Sequence, residues 1–323
     1  MMKAIVIESF GGPEVLKLAE VPKPEVRPGT VLVRTRAAGV NFADTHARKG
    51  GYSRKDLPFV PGGEGAGEIE QIGEGVRGLE VGARVAATGQ ATYAEYFVAP
   101  AQSVIPLPDF VSFEEGAAFP IQVMTAWHLL HSAHATNAGQ TVVIHAAAGG
   151  VGLAAIQIAK VAGARVIGTV SSEAKAKLAR EHGADDVIDY VTEDFGARVL
   201  ELTSGRGADL VLDSVGKPTF ERGLACLAPL GHIIVFGGAG GPPDPLNVMT
   251  LFDRSRSVSG FVLTHFREAG EERWRKSLDG AFELMRQGKL RVVIGKSLPL
   301  AEAAEAHRWM ESRGSIGKLV LVP

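Results

Sequence analysis

The run Thr141-Val142-Val143-Ile144, then His145-Ala146-Ala147-Ala148-Gly149-Gly150-Val151-Gly152, then Leu153 to Ala159 passes from an apolar strand through a small-residue turn into an apolar helix. The spacing Ala147-x-Gly149-x-x-Gly152 is that of a dinucleotide-binding turn with the first glycine replaced by alanine. Gly149 lets the backbone approach a pyrophosphate, and Gly152 lets the helix pack against the strand. The N–H groups at the helix start, those of Gly150 and Val151 included, face the anion. Taken alone, such a turn also suits a plain strand-to-helix connection.

About 20 residues further on, a second strand ends where an NAD-binding fold carries an acidic residue for the ribose hydroxyls. This chain has Ser171-Ser172 there, followed by Lys175 and Lys177 in the first turns of the next helix. Hydroxyls and cations suit a 2′-phosphate, and no carboxylate is present to repel it. The pattern favours NADP over NAD, although a lysine pair on a helix can also be solvent decoration.

A chain of 323 residues, 46% hydrophobic and 22% charged, can bury large cores and has the length of about two domains. Its net charge of −2 gives no electrostatic case for binding nucleic acid or membranes. The N-terminal apolar run is short, and no apolar run reaches spanning length, so a cytoplasmic, soluble protein is expected. The single cysteine, Cys226, rules out an internal disulfide and a multi-thiolate zinc site, and reads as a small buried hydrophobe.

From residue 1 to about 120, short strands split by glycine and proline predict a small β-barrel or sandwich. From about 122 to 260, strands near 141–146, 164–170, 186–189, 208–213 and 231–236 alternate with helical or turn segments, and Val258 to Val262 reads as an edge strand. That alternation predicts a parallel sheet covered on both faces. Helices near 272–287 and 301–312 precede a closing strand, Lys318 to Val322, expected to rejoin the first domain. His128, His131 and His134 lie on a predicted amphipathic helix, with no accompanying carboxylate to favour a metal, and are expected on its exposed edge.

Over nearly its whole length the chain resembles the medium-chain dehydrogenase/reductase superfamily, and within it the zinc-free, zeta-crystallin-like quinone oxidoreductases. The resemblance is carried by Phe10-Gly11-Gly12-Pro13-Glu14-Val15, Gly39-Val40-Asn41-Phe42-Ala43-Asp44-Thr45 and Pro61-Gly62-Gly63-Glu64-Gly65-Ala66-Gly67. The turn at 146–153, Asp213-Ser214-Val215-Gly216 and Gly317-Lys318-Leu319-Val320-Leu321 complete it. It implies an α/β architecture: a GroES-like β-barrel catalytic domain of residues 1–121 and 262–323, and a Rossmann-type doubly wound domain of residues 122–261, with coenzyme in the cleft between them. The zinc-dependent alcohol dehydrogenases of the superfamily carry a cysteine at the position of Asn41, a histidine at that of Gly63, and a four-cysteine loop where this chain runs through Thr88 to Tyr93. A metal is therefore not expected, and Glu64 reads as a structural acceptor in a turn.

Carried over residue by residue, the resemblance sets Asn41 near the nicotinamide and Thr125 on the helix beneath it. It assigns Ser171, Lys175 and Tyr190 to the 2′-phosphate and adenine. Phe236-Gly237 and Phe261, with Ser214 in the preceding turn motif, resemble loops that hold the carboxamide, and Arg313 sits where relatives have an arginine reaching the coenzyme. Tyr52 matches a second cleft tyrosine, and His46 stands where several relatives have the first. Either could donate a proton, or solvent could. The resemblance implies an NADPH-dependent enzyme that transfers hydride to a quinone or enone, working as a homodimer joined through the edge strand near 257–262. An enoyl-thioester (acyl-CoA) reductase and a non-catalytic NADPH-binding protein are the alternatives.

Overall fold

The computed structural model describes residues 1–51 and 56–323, which separate into two compact units: residues 1–121 with 292–323, and residues 122–291. The first stretch holds β1 (Met2–Val6), β2 (Lys17–Val21), β3 (Thr30–Val40), α1 (Phe42–Arg48), β4 (Glu64–Ile72), β5 (Arg84–Thr88), β6 (Tyr96–Pro100), β7 (Val104–Pro106) and α2 (Phe113–Ala118). The middle stretch holds α3 (Met124–His128), β8 (Thr141–Ile144), α4 (Gly150–Val161), β9 (Arg165–Val170), α5 (Glu173–Glu181), β10 (Asp186–Asp189), α6 (Phe195–Leu202), β11 (Ala208–Asp213), α7 (Phe220–Ala225), β12 (Leu227–Val235), β13 (Ser257–Gly260), α8 (Leu263–Glu268) and α9 (Glu271–Arg286). The last stretch adds β14 (Ile294–Pro299), α10 (Ala303–Glu311) and β15 (Lys318–Val322).

In the first unit, β3 organises the sheet. It pairs with β4 along most of its length, with β6 through Thr30–Arg34, and with β15 through Ala38–Val40. A register shift between Thr35 and Ala37 interrupts the β3–β4 ladder. One extra residue in a strand switches which face the following side chains occupy. Val31 and Val33 accordingly pack with Ile69, Val85 and Phe97, whereas Ala38 and Val40 pack with Ile5, Tyr93, Leu319 and Leu321. The closing strand β15 does rejoin this unit.

The second unit is a sheet of six strands, all parallel, in the order β10-β9-β8-β11-β12-β13. Every residue of β8 and β11 is buried, as expected of strands covered by helices on both faces. The chain order reverses between β8 and β11, and the glycine turn follows β8.

Two expectations are corrected. The helices at 263–286, assigned from sequence to the first domain, belong to the second unit, so that only residues 292–323 return to the first. The cause is packing: Trp274 and Ser277 of α9 are buried against α3. His128 is likewise not on an exposed edge. It is fully buried, its Nδ1 is 2.9 Å from Ser132 Oγ and its Nε2 3.2 Å from Ser277 Oγ, and its ring stacks on Trp274. His131 is exposed and stacks on Trp127.

Burial lowers the pKa of both His128 and His307 from 6.5 to about 4, and lowers that of His145 too; nearby Arg273 and Arg48 add to the effect at His128 and His307 respectively. Burial raises Asp44 from 3.8 to about 6. As pH falls from 6.5 toward 4, the unfolded chain takes up protons that the buried imidazoles refuse, so stability falls. Asp44 acts oppositely, its contribution being lost as pH rises through about 6, but it is one group against three. The denaturant midpoint should therefore be lower at about pH 5 than at about pH 7. An equal or higher midpoint at the acidic pH would contradict this assignment.

Candidate functional site

After β8 the chain turns through Ala146, whose φ of 51° is left-handed, and Gly149 donates its N–H to Ala146 O at 2.9 Å. The first helical bond of α4 runs from Leu153 N–H to Gly149 O, so the N–H groups of Gly150, Val151 and Gly152 precede the ladder at the positive end of a 12-residue helix. A Cβ on Gly152 would lie 2.5 Å from Ala146 O and 2.7 Å from Ala147 O, so a side chain there would force helix and turn apart. At Gly149 the corresponding approach, to Ala146 O, is 3.2 Å. The cradle thus offers backbone donors of the kind a pyrophosphate needs, with the Gln122 side chain packed against Gly150, where a Cβ would meet it.

β9 ends at Val170. Ser172 caps α5, accepting from Lys175 N–H at 3.4 Å, while Lys175 Nζ lies 3.4 Å from Ser171 Oγ. Lys175 is half-buried, whereas Lys177 is exposed beside Glu181, so of the two lysines only Lys175 joins the cluster. Tyr190 follows β10, its N–H bonded to Val170 O, and the residue is 37% exposed. The turns after β11 and β12 are tied together: Phe236 N–H donates to Asp213 O at 2.9 Å, and Ala239 N–H to Ser214 O at 3.1 Å. A Cβ on Gly237 would lie 2.8 Å from Ser214 O. Phe261 follows β13 with its N–H on Val235 O and its buried ring stacked on Phe266. Gly149 to Gly152, Ser171, Lys175, Tyr190, Ser214, Phe236, Gly237 and Phe261 therefore share the carboxyl ends of one parallel sheet, the edge at which open α/β sheets bind ligands. Thr125 is buried on α3, which packs against α4.

In the first unit, Asn41 precedes α1 and donates its backbone N–H to Asp44 Oδ2 at 2.8 Å. Its Oδ1 accepts from Lys318 Nζ at 2.8 Å, and its Nδ2 donates to Glu64 Oε1 at 2.9 Å. Lys318 Nζ also pairs with Glu64 Oε1, and Glu64 Oε2 accepts from Ile121 N–H at 2.8 Å. Both charged side chains are fully buried. Glu64 is thus not a turn acceptor, since it opens β4 and holds a buried ammonium. These residues do not fit a metal: Asn41 offers an amide, Gly63 no side chain, and the one carboxylate is already paired with a cation that opposes another.

A second chain of bonds adjoins this cluster. Arg48 Nη1 is 3.2 Å from His307 Nδ1, His307 Nε2 is 3.3 Å from Tyr93 Oη, and Tyr93 Oη donates to Asp44 Oδ2 at 3.0 Å. Arginine is only a donor, which assigns the His307 proton to Nε2. His46 lies on α1 with its ring against Phe42, and burial, then Lys49, lowers its pKa below 6.5. At neutral pH it is therefore a neutral imidazole with one N–H to give, less well matched to proton donation than the sequence suggested. Arg313 is exposed just after α10, with a left-handed φ of 60°. Tyr52 lies outside the described residues. Sequence reasoning missed the Lys318–Glu64 pair and the Tyr93–His307 contact. The available signal was a lysine opening the otherwise apolar strand Lys318 to Val322.

The Alcohol dehydrogenase GroES-like domain family matches residues 27–109, and the Zinc-binding dehydrogenase family matches residues 150–283, which include neither Asn41 nor Gly63. The chain is 43% identical to a quinone oxidoreductase of Pseudomonas aeruginosa over 326 aligned positions, covering 100% of both. It is 38% identical to a 2-haloacrylate reductase of Burkholderia, covering 100% of this chain and 99% of the relative. Among solved structures, Escherichia coli quinone oxidoreductase complexed with NADPH superposes with a TM-score of 0.94 at 34% identity, covering 99% of this chain and 100% of that one. The chain belongs to the quinone oxidoreductase family of the medium-chain dehydrogenase/reductase superfamily.

Gly152→Ala should lower stability by roughly 1–3 kcal/mol through overpacking against the turn carbonyls, and Gly149→Ala by less. Thermal midpoints check the order; equal midpoints would mean that the helix start is not held by this contact.

Proposed function

We propose that this protein is an NADPH-dependent, zinc-independent oxidoreductase that reduces quinones or α,β-unsaturated carbonyl compounds. The observation that carries the coenzyme half of this reading is the pairing of a glycine turn at the start of α4 with Ser171 and Lys175 at the end of the next strand. The helix start binds the pyrophosphate through backbone N–H groups, while Ser171, Lys175 and Tyr190 bind the 2′-phosphate and adenine. In the second unit Thr125, Ser214, Phe236, Gly237 and Phe261 serve the nicotinamide end; in the first, Asn41 and Arg313 are the groups offered to coenzyme or substrate. The acceptor class rests on the relatives, since a quinone and a haloacrylate both present a carbon–carbon double bond conjugated to a carbonyl.

NADPH, when bound, supplies the hydride. The chain's own residues orient and desolvate two flat reactants, and no covalent nucleophile is required of them. Asn41 offers an amide donor and acceptor to ribose or substrate, and His46, Tyr52 or solvent gives the proton that completes reduction.

The working unit is a homodimer. β13 is the sheet's edge strand, and exposed apolar side chains flank it: Phe252 is 72% exposed, Val248 61%, Met249 59% and Val262 54%. An edge strand beside such a patch favours pairing with a second copy. Among the described residues no helix is long and apolar enough to cross a membrane. A cytoplasmic location accords with a chain whose one cysteine is buried and reduced.

The test is a pair of kcat/KM values, for NADPH and NADH, with a panel of quinones and enones. Lys175→Ala should weaken NADPH use by roughly 10–150-fold, the equivalent of about 1.5–3 kcal/mol for a charge-assisted contact, and leave NADH use nearly unchanged. Equal losses for both coenzymes, or a parent enzyme preferring NADH, would remove the phosphate pocket from the proposal.

A further inference from the structure

Lys318 and Glu64 form an ion pair with neither side chain exposed. Stability is a poor explanation, because desolvating two charges offsets most of their attraction, and well-packed apolar pairs usually serve as well. The pair does something an apolar pair cannot. A carboxamide has nearly the same shape either way round, so packing alone leaves its two orientations close in energy. At Asn41 the ammonium faces Oδ1 and the carboxylate faces Nδ2, so a flip would set oxygen against Glu64 and NH₂ against Lys318.

We propose that Lys318 and Glu64 are positioning residues that hold the Asn41 carboxamide in one orientation, fixing which donor and acceptor it presents to the bound reactants. The proposal rests on the reading of Asn41 given above. The clamp is itself braced. Glu64 Oε2 is tied to Ile121 N–H, and Gly39 leaves room for Oε1, which a Cβ at that position would approach to 2.8 Å. Lys318 is held by its strand, its N–H bonded to Val293 O at 2.8 Å. The Asn41 backbone is fixed separately, through Asp44 and then Tyr93. With one N–H of Nδ2 committed to Glu64 and Oδ1 facing Lys318, the second N–H of Nδ2 is the donor left for ligand, in a fixed arrangement.

Removing either charge alone strands the other in the interior, so the pair is replaced together, as Glu64→Gln/Lys318→Met. This variant, Asn41→Ala and the triple variant are compared in quinone reduction, with thermal midpoint and NADPH dissociation constant measured for each. The paired replacement should lower kcat by roughly tenfold to a hundredfold, the usual cost of a misplaced group, and should change NADPH affinity no more than Asn41→Ala does. The triple variant should be no worse than Asn41→Ala, because residues acting through Asn41 have nothing left to position. A paired variant with full activity beside an impaired Asn41→Ala would overturn the clamp alone. Losses that add in the triple variant would overturn it too, by showing a role independent of Asn41. Full activity of Asn41→Ala would instead remove the reading of Asn41, and the clamp with it. Should the paired variant not fold, Glu64→Gln/Lys318→Gln, which strands no charge, keeps an acceptor oxygen for Ile121 and no longer dictates the amide's orientation, replaces it under the same three outcomes.

Discussion

The close approach of α4 to the end of β8 is the constraint on which the second unit's chemistry depends. With a Cβ position only 2.5 Å from a turn carbonyl, Gly152 sets how near the helix start lies to the strand, and so where three unladdered N–H groups point. The six-stranded parallel order then brings the ends of β9, β10, β11 and β12 alongside that point. The hydroxyl of Ser171 and the cation of Lys175 need no special loop to reach the same edge, because β9 is the direct neighbour of β8. On the proposed reading, phosphate recognition would follow from sheet geometry combined with one glycine.

The first unit solves a different problem. A reduction without a metal needs polar groups held still near reactants that offer few polar handles. Around Asn41 the chain commits two buried charges, and a histidine, a tyrosine and an arginine lie in the adjoining network. Such networks are costly when incomplete and specific when satisfied. Here the Asn41 side chain meets a cation at one end and an anion at the other.

The parallel sheet was legible in sequence because strands buried on both faces read as continuous apolar runs, and β8 and β11 are of that kind. The glycine spacing and the Ser171–Lys175 pattern are local, and the structure keeps those residues together. What was illegible depends on distant partners. Glu64 looked like a turn residue because the lysine that pairs with it lies 254 positions away. His128 looked exposed because its covering serine, Ser277, is 149 positions along. The same packing misled the assignment of residues 262–291, for an amphipathic helix such as α9 displays an apolar face without saying which core it will join. The face switch within β3 was hidden as well, since a single bulge shifts the period-2 pattern without any glycine or proline to mark it.

Hydrogen exchange of the whole protein with and without coenzyme tests the central claim most directly. NADPH should slow exchange at the amides of Gly150 to Gly152 and through Ser171 to Lys175, whereas NADH should protect the first segment and leave the second nearly unchanged. NADPH protection absent from both segments, or identical patterns for the two coenzymes across Ser171 to Lys175, would contradict it.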